Sequence, residues 1–265
     1  MKKIGLILAA SLFMFACGNE AEGNGDCAEK CKKENCEHGS EKCKKECKKK
    51  CAHENENSQD CDKDCKKKCC AQEQGIMEIG TFNPSLEAKL KDISGTEMHI
   101  EQLGKKNGML LIFSCNTCPF VVGRGEETEG WENRYNDIQK MATELEIGFA
   151  LINSNEGKRD GDDSFEKMVS HAKENGYSDI KYLMDTDHKV ADAFNAKTTP
   201  HVFLFSREHK LVYTGAIDDN VDKKAEVKEN WLSDAMTELA AGKEITNSVS
   251  KNRGCSIKRV KKEEK

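Results

Sequence analysis

Two thiols stand at Cys115 and Cys118 in the stretch Ser114-Cys115-Asn116-Thr117-Cys118-Pro119-Phe120, directly after the apolar run Met109-Leu110-Leu111-Ile112-Phe113. At the end of a strand, a C-x-x-C pair can cycle between dithiol and disulfide. A following helix offers backbone N–H groups that favour the thiolate, the reactive form of the group. The first thiol is then the expected nucleophile and the second resolves the mixed disulfide, so Cys115 attacks and Cys118 resolves. The rival chemistry is half of a zinc site, which needs two more ligands at recognisable spacing, and the neighbouring sequence supplies none. Redox chemistry leads, with no metal and no cofactor expected.

The compartment follows from the rest of the cysteines. The chain has 265 residues, 14 of them Cys, with 34% charged and 37% hydrophobic residues and a formal net charge of -5. That cysteine density is usual in an oxidising compartment. Lysines cluster in the cysteine-rich stretch and at the end, Lys258 to Lys265, without forming a coherent basic face, so no nucleic-acid partner is expected. Lys2-Lys3, the apolar run from Ile4 to Ala16 and then Cys17-Gly18 resemble a bacterial lipoprotein export signal. The run is shorter than the ~20 residues of a spanning helix. Residues 1–16 are expected to be removed and Cys17 to carry the lipid. The mature protein is expected in the bacterial cell envelope, facing the periplasm or exterior.

Residues 17–26 have the composition of a spacer. In residues 27–70, ten cysteines recur among Lys and Glu, often at a step of four, which places neighbours one turn apart on a helix face. Cys43 with Cys69, Cys47 with Cys65 and Cys51 with Cys61 lie symmetrically about the stretch 52–60, as in an antiparallel helical hairpin. A second ladder pairs Cys27 with Cys51 and Cys31 with Cys47, so the connectivity stays open. Disulfides stapling a short-helical segment without an apolar core are the leading reading, ahead of soft-metal binding or a thiol reservoir. With Cys17 lipidated, these ten paired and Cys115 bonded to Cys118, Cys255 is the odd thiol, either a free tail cysteine or a resolving or relay group.

A different composition begins after residues 71–84, read as a linker. Ala88 to Ile93 reads as a strand, Met98 to Leu103 as a short connector and Met109 to Phe113 as a buried strand. The helix after the site is expected late, over Glu132 to Glu146, past the Gly123 to Glu127 insertion. Gly148 to Asn153 reads as a second buried strand, followed by a helix from Ser164 to Glu174 with Ser164 as its cap. A strand at Tyr182 to Met184 and a helix from His188 to Phe194 lead to Thr198-Thr199-Pro200. A hairpin follows, His201 to Phe205 and Lys210 to Tyr213, and then a helix over Lys224 to Ala241. This order predicts an α/β sandwich over residues 85–245, a central mixed sheet flanked by helices, with a tail at 246–265. His171, His188, His201 and His209 sit among polar neighbours and are expected to be solvated, with His201 the one able to touch the site. Trp131 and Trp231 are expected to pack. Asp218-Asp219-Asn220 reads as a turn or a metal or substrate loop.

Cys115-Asn116-Thr117-Cys118-Pro119-Phe120-Val121, Ile152-Asn153-Ser154-Asn155, Thr199-Pro200, Phe203-Leu204-Phe205, Tyr213-Thr214-Gly215-Ala216-Ile217-Asp218-Asp219-Asn220 and Gly254-Cys255-Ser256-Ile257-Lys258 occur in order. Over about Leu86 to Arg259 the chain thereby resembles thioredoxin-fold redoxins of the peroxiredoxin-like, AhpC/TSA-type group. The resemblance implies a thioredoxin-like sandwich and makes Pro200, after Thr199, a cis-proline opposite the thiols. It also opens a second register, in which Cys118-Pro119 is the peroxidatic Cys-Pro, oxidised to a sulfenic acid and resolved by Cys115 or Cys255, with Arg124 the nearby guanidinium. The leading expectation is an extracytoplasmic thiol–disulfide oxidoreductase acting on a protein or small-molecule thiol or disulfide partner. A thiol peroxidase comes second, and a non-enzymatic metal- or surface-binding lipoprotein third.

Overall fold

The computed structural model describes residues 77–260. The expected signal 1–16, lipidated Cys17, spacer 17–26, cysteine-rich segment 27–70 and linker residues 71–76 lie outside the described residues, as do 261–265. The strands are β1 (Lys89–Asp92), β2 (Glu97–His99), β3 (Met109–Ser114), β4 (Gly148–Asn153), β5 (Lys181–Met184), β6 (Thr198–Thr199), β7 (His201–Phe205), β8 (Leu211–Gly215) and β9 (Cys255–Ser256). Seven form one sheet in the order β2-β1-β5-β4-β3-β7-β8, and β6 pairs with β9 apart from it. β3 runs parallel to β4 and β4 to β5, while β7 is antiparallel to both β3 and β8. With the helices α1 (Pro119–Val122), α2 (Tyr135–Glu144), α3 (Phe165–Glu174), α4 (Lys189–Ala193) and α5 (Trp231–Ala240), this is a thioredoxin-like α/β sandwich.

β3 sits at the centre because every one of its residues is apolar or small, and all six are buried. Side chains alternate between the faces of a strand. Leu110 and Ile112 pack with Tyr135, Ile138 and Ala142 of α2, Met168 of α3 and Leu232 of α5. Met109, Leu111 and Phe113 pack with Val190 and Ala191 of α4 and with Phe194, Phe203 and Phe205. A strand buried on both faces reads as an unbroken apolar run, as this one does. Its C-terminal end delivers Cys115 to the edge of the first of these cores.

Several elements differ from expectation for identifiable reasons. The Met98 to Leu103 connector contains β2 and a 3-10 turn, Ile100–Leu103. A one-turn helix, α1, starts immediately after Cys118 with Pro119 at its first position, where the missing N–H costs nothing. It stops at Gly123, whose φ of +84 ends the turn and where a Cβ would lie 2.6 Å from the carbonyl oxygens of Thr128 and Glu129. The chain loops back, Trp131 N–H bonding Phe120 O at 3.0 Å, before α2 begins. The last helix starts at Trp231 rather than Lys224 because Asp219 Oδ1 accepts the backbone N–H of Lys228 at 2.9 Å and Glu229 at 3.2 Å.

The segments flanking the sandwich also pair with it. Gly80 N–H donates to Leu211 O and Asn83 N–H to His209 O, so residues 80–83, read as linker, line the edge at β8. Val249 bridges Thr214 of β8, and further on the tail reaches β6. Among the described residues, no helix is long and apolar enough to cross a membrane.

Candidate active site

The peptide bond between Thr199 and Pro200 is cis, and Thr199 is the residue on which the two thiols converge. Cys115 Sγ lies 3.2 Å from Thr199 Oγ1, and Cys118 Sγ lies 3.1 Å from the Thr199 carbonyl oxygen. Both sulfurs are shielded, Cys115 being 1% exposed and Cys118 4%. β9 lies on the other side of Thr199, with Cys255 as its registered antiparallel partner. The half-buried Cys255 packs against the core cluster that holds Cys115 and Cys118, and its thiol contributes to lowering the Cys118 pKa. The structure thus brings together Cys115, Cys118, Thr199, Pro200 and Cys255, the five residues that the sequence marks as candidates for the chemistry.

The two central thiols share a proton unequally. The hydrogen bond from Cys115 holds Cys118 low, to about 5, against the penalty of burial, with help from the Cys255 thiol and the backbone N–H groups of Cys255 and Phe120. The same hydrogen bond, followed by burial, pushes Cys115 well above the ordinary thiol range. The two ionisations belong to the pair. The pKa order favours charge on Cys118, although the Thr199 carbonyl accepts from that sulfur in its protonated form, whereas the β–α order alone made Cys115 the expected nucleophile. Cys255 is pushed up to about 11 by burial and by its contacts with the Cys118 sulfur.

Behind Cys115 lies an acid that sequence reasoning missed. Asp163 is fully buried; its Oδ1 accepts the Asn116 N–H at 2.9 Å and Asn153 Nδ2 at 2.7 Å, and its Oδ2 accepts Asn155 Nδ2 at 3.1 Å. Tyr182 OH donates to Asn116 Oδ1 at 2.8 Å, and Asn116 Nδ2 to Asp162 O at 2.8 Å. This web fixes the residue between the thiols, and the Asp163 charge contributes to the rise at Cys115. This acid lies 48 residues after Cys115 in the chain. Its available signal was Asp163 beside Ser164, which caps α3 as expected by accepting the Lys167 N–H.

Four other expectations need revision or gain detail. The histidines are not solvated. His188 and His201 are buried, and His171 and His209 are partly covered. His201 Nε2 bonds Thr214 Oγ1 at 3.3 Å and its ring lies 4.4 Å from that of Phe203, while burial lowers its pKa to about 4. His171 Nε2 and Tyr177 OH both bond Glu132 Oε1. Asp218 bonds Trp131 Nε1 at 2.7 Å and Arg134 Nε at 2.8 Å, and Asn220 caps the following turn, so this loop braces the fold. Trp131 is buried and Trp231 half-buried against α5's core. Arg124 is exposed in the loop after α1, bonded through its backbone to Thr128, whereas Arg253 lies over the Phe120 ring at 5.7 Å.

Neither a protein-family model nor a curated protein matches the chain. Solved structures do. A hypothetical protein of Sinorhizobium meliloti 1021 is 26% identical, with a TM-score of 0.62 over 70% of this chain and 97% of that one. An uncharacterized conserved protein of Geobacillus kaustophilus is 26% identical, with a TM-score of 0.60 over 69% of this chain and 93% of that one. The similarity spans nearly the whole of each of these two solved structures and about 70% of this chain, and accords with the sandwich described above.

Proposed function

We propose that the chain is an extracytoplasmic thiol–disulfide oxidoreductase whose working couple is Cys115/Cys118. The observation that carries this is the convergence of both sulfurs on Thr199, Cys115 Sγ at the hydroxyl and Cys118 Sγ at the carbonyl, beside which the Cys118 pKa is lowered and the Cys115 pKa raised. A thiolate paired with a protonated neighbour is what disulfide exchange needs. In the reducing direction the Cys118 thiolate and the Cys115 thiol become a disulfide, and the partner's disulfide becomes two thiols, taking up the Cys115 proton and one from solvent. The reverse reaction oxidises a dithiol.

A lipid on Cys17 would hold the domain at the cell envelope, facing the periplasm or exterior, with disulfides in residues 27–70 forming its stem. The export-like start and the cysteine density support that placement.

A peroxidase is the second reading, favoured by the low Cys118 pKa and by Pro119 directly after it. Cys118 would then take an oxygen from peroxide, and Cys115 would resolve the sulfenic acid with loss of water. Assays of Cys115→Ser and Cys118→Ser for protein-disulfide exchange and for peroxide consumption separate the two. Loss of exchange in both variants supports the oxidoreductase. Peroxide consumption lost in Cys118→Ser alone, with exchange intact in that variant, overturns it.

A further inference from the structure

We propose that Cys255 is a relay thiol, passing oxidising equivalents between the buried Cys115/Cys118 couple and an external protein thiol or disulfide. The inference rests on the redox reading above and adds the path by which a large partner reaches the couple.

A protein partner must bring a sulfur into line with the sulfur it attacks, and Cys115 and Cys118 are nearly closed to solvent. Cys255 is half-buried and packs against the cluster that holds both thiols, and it shares Thr199 with them: Thr199 is its registered partner in the β6–β9 pair and also the residue on which Cys115 and Cys118 converge. The placement is built by backbone. β9 pairs with β6 so that Cys255 faces Thr199. Gly254 permits the approach: a Cβ there would lie 2.4 Å from the Thr199 carbonyl oxygen and 3.1 Å from Thr198 Cβ. The strap is fastened on both sides. Asn252 Nδ2 bonds Thr198 Oγ1 at 2.6 Å, Ile257 N–H bonds Lys197 O at 2.9 Å, Lys258 N–H bonds Asn155 Oδ1 at 2.8 Å, and Arg259 Nε pairs with Asp192 at 2.7 Å.

In the oxidising direction, the Cys255 thiolate attacks Cys118 Sγ of the Cys115–Cys118 disulfide. The S–S bond breaks, Cys115 leaves as a thiolate and takes up the proton that Cys255 lost, and a Cys118–Cys255 disulfide remains. A partner thiolate then attacks Cys255 Sγ, the more open sulfur. Cys118 leaves, as the more acidic thiol should, since a lower pKa makes a better leaving group. A second partner thiol attacks the partner's own sulfur in the mixed disulfide, releasing Cys255. In sum, two partner thiols become one disulfide, and the Cys115–Cys118 disulfide becomes two thiols. The reducing direction retraces these steps.

The test uses the full-length protein. Reduced Cys115→Ser is oxidised with glutathione disulfide and its disulfides are mapped by peptide mass spectrometry; a Cys118–Cys255 link is expected. Cys255→Ser is assayed for exchange with insulin disulfides, with a loss of about tenfold or more expected, while its Cys115–Cys118 disulfide still forms with glutathione disulfide. Gly254→Ala, which keeps all three thiols but displaces the strap, is expected to slow insulin exchange as well. Wild-type insulin turnover in Cys255→Ser, or absence of the Cys118–Cys255 link in Cys115→Ser, overturns the relay. Failure of the wild type to form a Cys115–Cys118 disulfide or to exchange with insulin at all overturns the redox reading itself, and the relay with it.

Discussion

The Cys115 and Cys255 thiols and the backbone N–H groups of Cys255 and Phe120 together lower the Cys118 pKa against burial, and its ionisation is therefore the most informative single property of the site. Its folded pKa, about 5, lies below the ordinary thiol value of about 8.5. A depressed acid contributes stability that is full above its unfolded pKa and is lost as pH falls through its folded pKa. The melting temperature of the reduced protein is therefore expected to lose an increment relative to Cys118→Ser as pH falls from about 9 to about 5. Thiolate absorbance at about 240 nm should titrate over the low end of that window; a first thiol step at the ordinary value would remove the charge assigned to Cys118. Asp163 acts on the other sulfur. Asp163→Asn keeps a side-chain oxygen for the Asn116 N–H and removes a charge that raises Cys115. The second thiol step is expected to move down, read by the same absorbance titration.

At the scale of elements, the site depends on how the loop after α1 is tied to the strand end beyond β8. Arg134 and Asp218 form a pair in which the side chains are 5% and 6% exposed. Arg134 also donates to Gly130 O at 2.7 Å and Asn220 O at 2.7 Å, and Asp218 holds Trp131. Removing one member of such a buried pair leaves the other charge uncompensated, which costs roughly 3–5 kcal/mol. Arg134→Ala is expected to lose stability of that order in denaturant unfolding. A loss below about 1 kcal/mol, the usual scale of an exposed pair, would show that water reaches this junction. The lesson for reading sequence is local. Asp218-Asp219-Asn220 permitted a metal loop or a turn, and Arg134 and Trp131, more than 80 residues away, decide for the brace.

For the whole molecule, the prediction concerns attachment. If Cys17 carries a lipid, Cys17→Ala is expected to move the protein from the membrane fraction to the soluble fraction of fractionated cells. Unchanged partitioning would remove the proposed anchor. Thiol counting on native protein, with and without reductant, tests the stem: few free thiols before reduction are expected if the cysteines of residues 27–70 are paired. Many free thiols binding metal stoichiometrically would favour a metal-binding segment instead.

Six strands of the main sheet, the α3 cap and the C-x-x-C junction were legible in sequence because their causes are local, among them the apolar run of β3, the Ser164 side chain and the short thiol spacing, whereas the short strands β2, β6 and β9 were not. The histidines and the late start of α5 were not legible. Burial of His188 and His201 comes from packing partners distant in the chain, and α5 is shortened by a side chain, Asp219, that captures N–H groups ahead of it. The opening stretch said that Cys115 and Cys118 can exchange electrons in pairs; it could not say which sulfur carries the charge. That depends on donors gathered from α1 and from a strap 137 residues beyond Cys118, and on an acid behind Asn116. Only the fold brings such groups within hydrogen-bonding reach, where low dielectric makes their differences large.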